Sequence, residues 1–248
     1  MEAGTRLKAP LAAILFSIAQ LSAQTAPFAS GETTDYDISW RVFGAGRAKM
    51  SVVEVPGNPQ KWKATVEANS TAFVSKLYQV ADIFRSTFQA DSYCSEQLIK
   101  DIHEGKRNRD IRIDFNSERK IASIREMDLT ANRQVRAQEN PIPACAFDVV
   151  SALYYVRTLK LEVGKPFQVP LNDGGHTLLI DVEVQAKEEI KTPAGVFKTI
   201  RIEPLVFGGT LFKKSGRMQI WLTDDAAHRM IQLKARLFIG NITATAAK

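Results

Sequence analysis

Tyr36-Asp37-Ile38-Ser39-Trp40-Arg41-Val42 alternates apolar and polar residues without a break. Side chains of an extended strand point to opposite faces in turn, so this stretch has one oily face and one wet one. Gly44-Ala45-Gly46 follows as a turn, and Ala48, Met50 and Val52 return against Arg47, Lys49 and Ser51. The two segments predict a hairpin. At Val53 the apolar phase slips by one residue, which predicts a β-bulge there.

The same period recurs along the chain. Trp62, Ala64, Val66 and Ala68 alternate with Lys61, Lys63, Thr65 and Glu67 after a Pro56-Gly57-Asn58-Pro59 turn. Further strands are marked by Phe84 and Phe88, by Ile111, Ile113 and Phe115, and by Leu178, Ile180, Val182 and Val184. Others follow at Ile200 and Ile202, at Met218, Ile220 and Leu222, and at Ile231, Leu233, Ala235 and Leu237. Turn residues at Asn172–Gly175, Thr192–Gly195, Gly208–Gly209, Asp224–Ala227 and Gly240–Asn241 space these strands as an antiparallel meander does. The fold class read from this is mainly β: a strongly curved antiparallel sheet or barrel-like meander of ten or more strands. Strands wet on one face cannot form a flat layer covered on both sides, so the sheet must curl, close or wrap a helix.

One segment has a different period. Ala146, Val149, Val150, Leu153 and Tyr154 share one face of a helix, with Asp148 near its start and Arg157 and Lys160 near its end, where their charges suit the helix dipole. It is the one principal helix expected, ending before Gly164 and Pro166. A shorter helical turn is expected around Val74–Gln79. Pro141 and Pro143 mark a boundary between two halves that share one core.

The chain holds 248 residues, 45% of them hydrophobic, enough for a core that needs neither metal nor a dense disulfide framework. Residues 1–23 read as an export signal: Arg6 and Lys8 precede an apolar run from Leu11 to Leu21, and Leu21-Ser22-Ala23 ends in small residues. The run is too short for a transmembrane span, which needs about 20 residues. An amphipathic first helix is the alternative. No cysteine follows the run to carry a lipid anchor. Residues 24–34 read as a disordered linker and 35–248 as a single β domain. Cleavage would remove Glu2, Arg6 and Lys8 and leave a net charge near +5, mild for a nucleic-acid binder; nucleic acid is not an expected partner. The expected location is exported, periplasmic or associated with an outer membrane.

Cys94 and Cys145 are the two cysteines. In an oxidising compartment an even pair without metal spacing reads as one disulfide, two buried thiols being the alternative.

Ser151-Ala152-Leu153-Tyr154-Tyr155-Val156-Arg157, Lys191-Thr192-Pro193-Ala194-Gly195-Val196-Phe197 and Ile220-Trp221-Leu222-Thr223-Asp224-Asp225 resemble motifs of bacterial exported proteins grouped as domain-of-unknown-function family 3108. The resemblance runs from about Tyr36 to Ala246 and implies a signal-bearing envelope protein with a mainly β fold. It implies no catalytic residue.

Candidate chemistry is sparse. His103 and Glu104 are neighbours on a strand and face opposite ways, and His176 and His228 lie in separate turns. Neither a Gly-x-Ser-x-Gly elbow nor His-Glu-x-x-His occurs, and Gly174-Gly175 joins strands instead of opening a phosphate-binding helix. Catalytic, cofactor and metal residues are therefore not assigned. Lys106, Arg107, Arg109 and Arg112 form the densest basic stretch, a candidate contact with anionic lipid or glycan and otherwise a solvated sheet face. Tyr36, Trp40, Phe84, Phe88, Tyr154 and Phe197 read as core or as the lining of an apolar cavity. Trp221 falls by strict alternation on the wet side with Gln219 and Thr223, a candidate partner contact.

The leading expectation is a non-catalytic protein that binds or chaperones an apolar or amphipathic envelope molecule, which calls for a cavity of a few hundred cubic ångströms. The alternatives are an adaptor docking on another envelope protein through the basic strands and Trp221, and third a hydrolase without a recognisable motif.

Overall fold

A computed structural model describes residues 26–205, 216–237 and 240–247. The region read as an export signal lies outside them. Eight strands come first: β1 (Glu32–Trp40), β2 (Phe43–Val55), β3 (Asn58–Ser70), β4 (Ala81–Gln89), β5 (Ser95–Glu104), β6 (Arg107–Asn116), β7 (Ile121–Asp128) and β8 (Arg133–Pro141). A short helix α1 (Ala72–Ser75) sits between β3 and β4. Helix α2 (Val149–Arg157) follows β8 and leads to β9 (Phe167–Leu171), β10 (Leu178–Thr192), β11 (Gly195–Pro204), β12 (Arg217–Thr223), β13 (Met230–Leu237) and β14 (Gly240–Ala246).

All the strands lie in one antiparallel sheet of fourteen, ordered β8 to β1, then β14 down to β9. The chain starts in the middle, walks out to one edge, crosses through α2 to the far edge and returns to pair β14 with β1. Laid flat, fourteen strands about 4.8 Å apart would separate β8 from β9 by roughly 60 Å. Instead Arg136 on β8 donates to the Gly174 carbonyl beyond β9 at 2.6 Å, and the Thr177 hydroxyl donates to the Pro141 carbonyl at 3.5 Å. The sheet is therefore strongly curled, with its edges brought together but not hydrogen-bonded into a closed barrel. A Phe147–Leu171 bridge runs parallel in the gap, and the Ser95 N–H donates to the Ala146 carbonyl at 2.9 Å. Residues 145–148 thus span from β5 to β9.

The concave face carries the core. Val52, Ala64, Phe88, Leu98, Ile113, Ile202 and Leu222 are fully buried along it. Several expectations need correction. The stretch expected to be linker is ordered and packs on the core at Ala26 and Phe28. Phe28 packs edge-on against Trp62 and Tyr154, with ring centroids 5.0 and 4.9 Å away, and Glu32 opens β1. The bulge expected at Val53 is not there: β2 stays in register with β3 through Glu54 and Trp62, with Val52 holding the concave face, and the shift comes between Glu54 and Val55, where three residues of β3 are left over beside the turn. Trp40 is not core: the pairing of β1 with β2 shifts between Ile38 and Ser39, and beyond that point the strand leaves the packed region, so Trp40 stands 42% exposed. Phe84 and Phe197 are only partly buried, whereas Tyr36, Phe88 and Tyr154 are buried as expected. The short helical turn begins earlier, at Ala72.

Candidate functional site

The strand directions define two ends of the curled sheet. At the lower end lie the turns after β2, β4, β6, β10 and β12, and at the upper end those after β1, β3, β5, β7 and β9. Helix α2 closes the lower end. Its N-terminus is fixed by Asp148, a carboxylate with no exposed surface. One carboxylate oxygen accepts the N–H groups of Val150 and Ser151 at 2.7 and 3.0 Å, and the other accepts the hydroxyls of Ser86 and Ser95 at 2.6 and 2.7 Å. Ser151 accepts the Asp148 N–H in return, completing a capping box. The helix end is held by Arg157, which forks onto both oxygens of Glu32 at 2.5 and 2.9 Å and donates to the Ala227 carbonyl at 2.9 Å. Its guanidinium lies 5.0 Å from the Phe28 ring centre and 5.5 Å from that of Tyr154. Burial pushes the Tyr36 and Tyr154 hydroxyls well above the usual tyrosine range, so both stay protonated, and Tyr36 donates to the Met230 carbonyl at 3.0 Å.

Above this floor the two walls differ. Between α2 and strands β9–β12 lies an apolar cavity of about 110 Å³, with Ala152 and Leu153 on the helix side and Ile180, Ile202, Pro204 and Met218 on the sheet side. Pro204 and Met218 stand at the upper ends of their strands. Met50, Val66, Phe84 and Leu233 extend the apolar wall as partly buried side chains. The opposite wall, β5 to β8, mixes charge with apolar residues: Leu98, Ile111, Ile113 and Ile124 are buried in it, Lys100 pairs with Asp173, and Arg109 pairs with Glu126 and Asp128 at 3.3 and 2.7 Å. Gly174, at φ +86°, packs closely against the opposite wall, where a Cβ would run into Ile113 and Ile124. The interior is thus a cup with an apolar side, an opposite side that mixes apolar and charged residues, and a filled floor.

The basic stretch is split by its own alternation. Arg109 shares parity with Ile111 and Ile113 and turns inward to its two acids, so it is not available to an external anionic surface. Arg112 faces outward and bonds Asp114 at 3.1 Å, while Lys106 and Arg107 occupy the β5–β6 turn at the upper rim. Trp221 is on the outer face, as alternation predicts, but it is 3% exposed and not a free contact. Its indole N–H donates to Glu188 at 2.6 Å and the Lys234 ammonium lies 5.0 Å from the ring centre; long polar side chains of neighbouring strands cover it. Replacing Trp221 with alanine should therefore cost stability, about 3 kcal/mol by loss of a buried aromatic, and this is checked by urea unfolding.

Cys94 and Cys145 are joined in a disulfide that ties the β4–β5 turn to the strap before α2. Beside it an open polar groove of about 740 Å³ runs between Glu96 and Asp114. The histidines stay apart: His176 is exposed at the upper end, His228 bonds the Arg157 carbonyl at the lower end, and His103 meets Asn108. Among the described residues no group of histidine, cysteine and carboxylate side chains gathers to hold a metal, and no helix is long and apolar enough to cross a membrane.

Residues 35–247 match the family described as protein of unknown function, DUF3108. Curated proteins yield no match. The chain is also similar to a solved structure, the beta-barrel-like protein of the domain of unknown function DUF1849 from Brucella abortus. The TM-score is 0.62 at 8% identity, over 89% of this chain and 97% of that one, a likeness of fold alone.

Proposed function

The chain belongs to the DUF3108 family, and with that membership as premise we propose a non-catalytic, exported binding protein that grips the apolar end of an amphipathic envelope molecule. The observation that carries this is the apolar cavity between α2 and β9–β12. Its volume of about 110 Å³ is below the few hundred cubic ångströms that a whole enclosed ligand needs, because α2 fills the floor. An apolar cavity of about 150 Å³ takes up a benzene ring, so this one suits a short alkyl or aryl end, with the remainder of the ligand in the mouth above. The charged residues of the opposite wall supply partners for a polar portion there. Export is supported by the disulfide and by the apolar run near the N-terminus.

Binding is tested with N-phenyl-1-naphthylamine, an apolar dye whose fluorescence rises on leaving water. The protein should bind it saturably, and Ala152→Phe, which fills the cavity from the helix side, should weaken binding about tenfold, or ~1.4 kcal/mol, at unchanged far-UV circular dichroism. Equal affinity of the two proteins, or absence of dye binding, would exclude the cavity as the site. The adaptor alternative loses Trp221 as a docking point and retains only the exposed basic residues.

A further inference from the structure

We infer that the upper rim of the cup is a docking surface for an anionic phospholipid bilayer. Large apolar side chains concentrate there instead of in the core: Val42 is 86% exposed, Phe43 68%, Phe73 76% and Leu77 82%, with Tyr78 beside them at 52%. They belong to two turns far apart in sequence that the sheet places side by side. The Thr71 N–H, which opens α1, donates to the Ala45 carbonyl of β2 at 2.9 Å. The β5–β6 turn joins the same crescent: the Gly105 N–H donates to the Gln79 carbonyl at 2.8 Å, and the Tyr78 ring lies so close to Gly105 that a Cβ there would meet it at 2.8 Å. On the other flank, the Arg41 N–H donates to the Asn241 carbonyl at 2.8 Å, which brings in the start of β14.

A contiguous row of exposed apolar tips is unusual for a surface that meets only water. Charge identifies the occupant. Arg41, Lys76, Lys106 and Arg107 are exposed among these tips, and the acid on the three turns, Glu104, is already paired with Arg107 at 3.0 Å. Apolar side chains that enter the acyl boundary, ringed by cations at headgroup depth, are the chemistry of peripheral attachment to anionic lipid. A protein partner would leave the excess of cations without a role unless it were itself acidic. The inference does not depend on the cavity: Ala152→Phe should leave vesicle binding unchanged while weakening dye binding about tenfold, so the two readings fail separately.

The test is flotation of the full chain with phosphatidylglycerol–phosphatidylcholine vesicles and with phosphatidylcholine vesicles alone. The protein should float with the anionic vesicles, less with the neutral ones, and less again in high salt. Phe73→Ser with Leu77→Ser should lower the bound fraction about tenfold without changing the melting temperature, since both side chains are exposed. Lys76→Glu with Lys106→Glu should remove the preference for anionic lipid while leaving residual binding. Failure of the protein to float, or equal flotation of the serine variant, would overturn the inference. A dimer in gel filtration that the serine variant converts to a monomer would do so as well, assigning the rim to self-association.

Discussion

Replacing Cys94 and Cys145 together by serine is expected to lower the unfolding free energy by about 4 kcal/mol. The bridge closes a sequence separation of 51 residues, and the value is that of the chain entropy such a loop loses in the unfolded state. For a domain of this size the melting temperature should fall by roughly 10 °C, and the same fall should follow reduction of the unaltered protein with dithiothreitol. Circular dichroism melts with and without reductant, on both proteins, give the comparison. A reductant that shifts the serine variant as much as the parent would show that the effect has another source. The location of the bridge adds a second consequence. Cys145 opens the strap whose Ala146 carbonyl accepts the Ser95 N–H and whose Asp148 begins α2. Without the bridge, the strap is still tied across the gap between β5 and β9 by these hydrogen bonds, by those of Asp148 to Ser86 and Ser95 and by the Phe147–Leu171 pairing, but its first residue loses its covalent anchor. Dye binding should weaken before global unfolding sets in, because Ala152 and Leu153 move with the helix.

Much of the fold is legible in the chain because a sheet with one buried face writes its period directly into the residue order. Tyr36, Val52, Trp62, Phe88, Ile113 and Ile200 all lie where alternation puts them. The helix is equally plain, since Asp148, the apolar face and Arg157 are all local signals. What alternation misses is weakly apolar or paired at long range. Strand β14 offers Ile242, Ala244 and Ala246 between threonines, too little oil to stand out, and it forms because β1 and β13 supply partners on both sides. Strand β8 is largely polar because it lies at a sheet edge. The position of Arg109 was within reach, since it keeps the parity of Ile111 and Ile113. Its acids, Glu126 and Asp128, come from the next strand, and only the register reveals them. The cavity could not be read at all. It is the space left between α2 and four strands, and its size depends on how tightly the sheet curls. The rim has a signal that is easily misread: Trp40 and Val42 continue an alternating run, and nothing local shows that the pairing shifts between Ile38 and Ser39 and leaves them outside the core.

The floor of the cup rests on one carboxylate, and removing it should have an effect close to that of removing the disulfide. Asp148→Ala deprives the Val150 and Ser151 N–H groups of their cap, which costs about 1–2 kcal/mol. It also leaves the hydroxyl of Ser86, a residue with no exposed surface, without its acceptor, a further cost of about 1–3 kcal/mol. Ser95 is spared part of the loss because its hydroxyl also bonds that of Ser151 at 2.7 Å. The expected total is about 3 kcal/mol. Asp148→Asn keeps an oxygen to cap the helix and offers its amide to the serine hydroxyls, which can turn to accept, so it should recover more than half. Urea unfolding of the three proteins decides the matter. An alanine variant within about 0.5 kcal/mol of the parent would mean that α2 is held by its packing and by Arg157 at its other end, through Glu32, Phe28 and the Ala227 carbonyl. The expected order, with the asparagine variant between the other two, would instead locate the closure of the cup in a set of buried hydrogen bonds. These join the neighbouring strands β4 and β5 to α2, far along the chain, and through them the curl of the sheet is passed to the wall of the cavity.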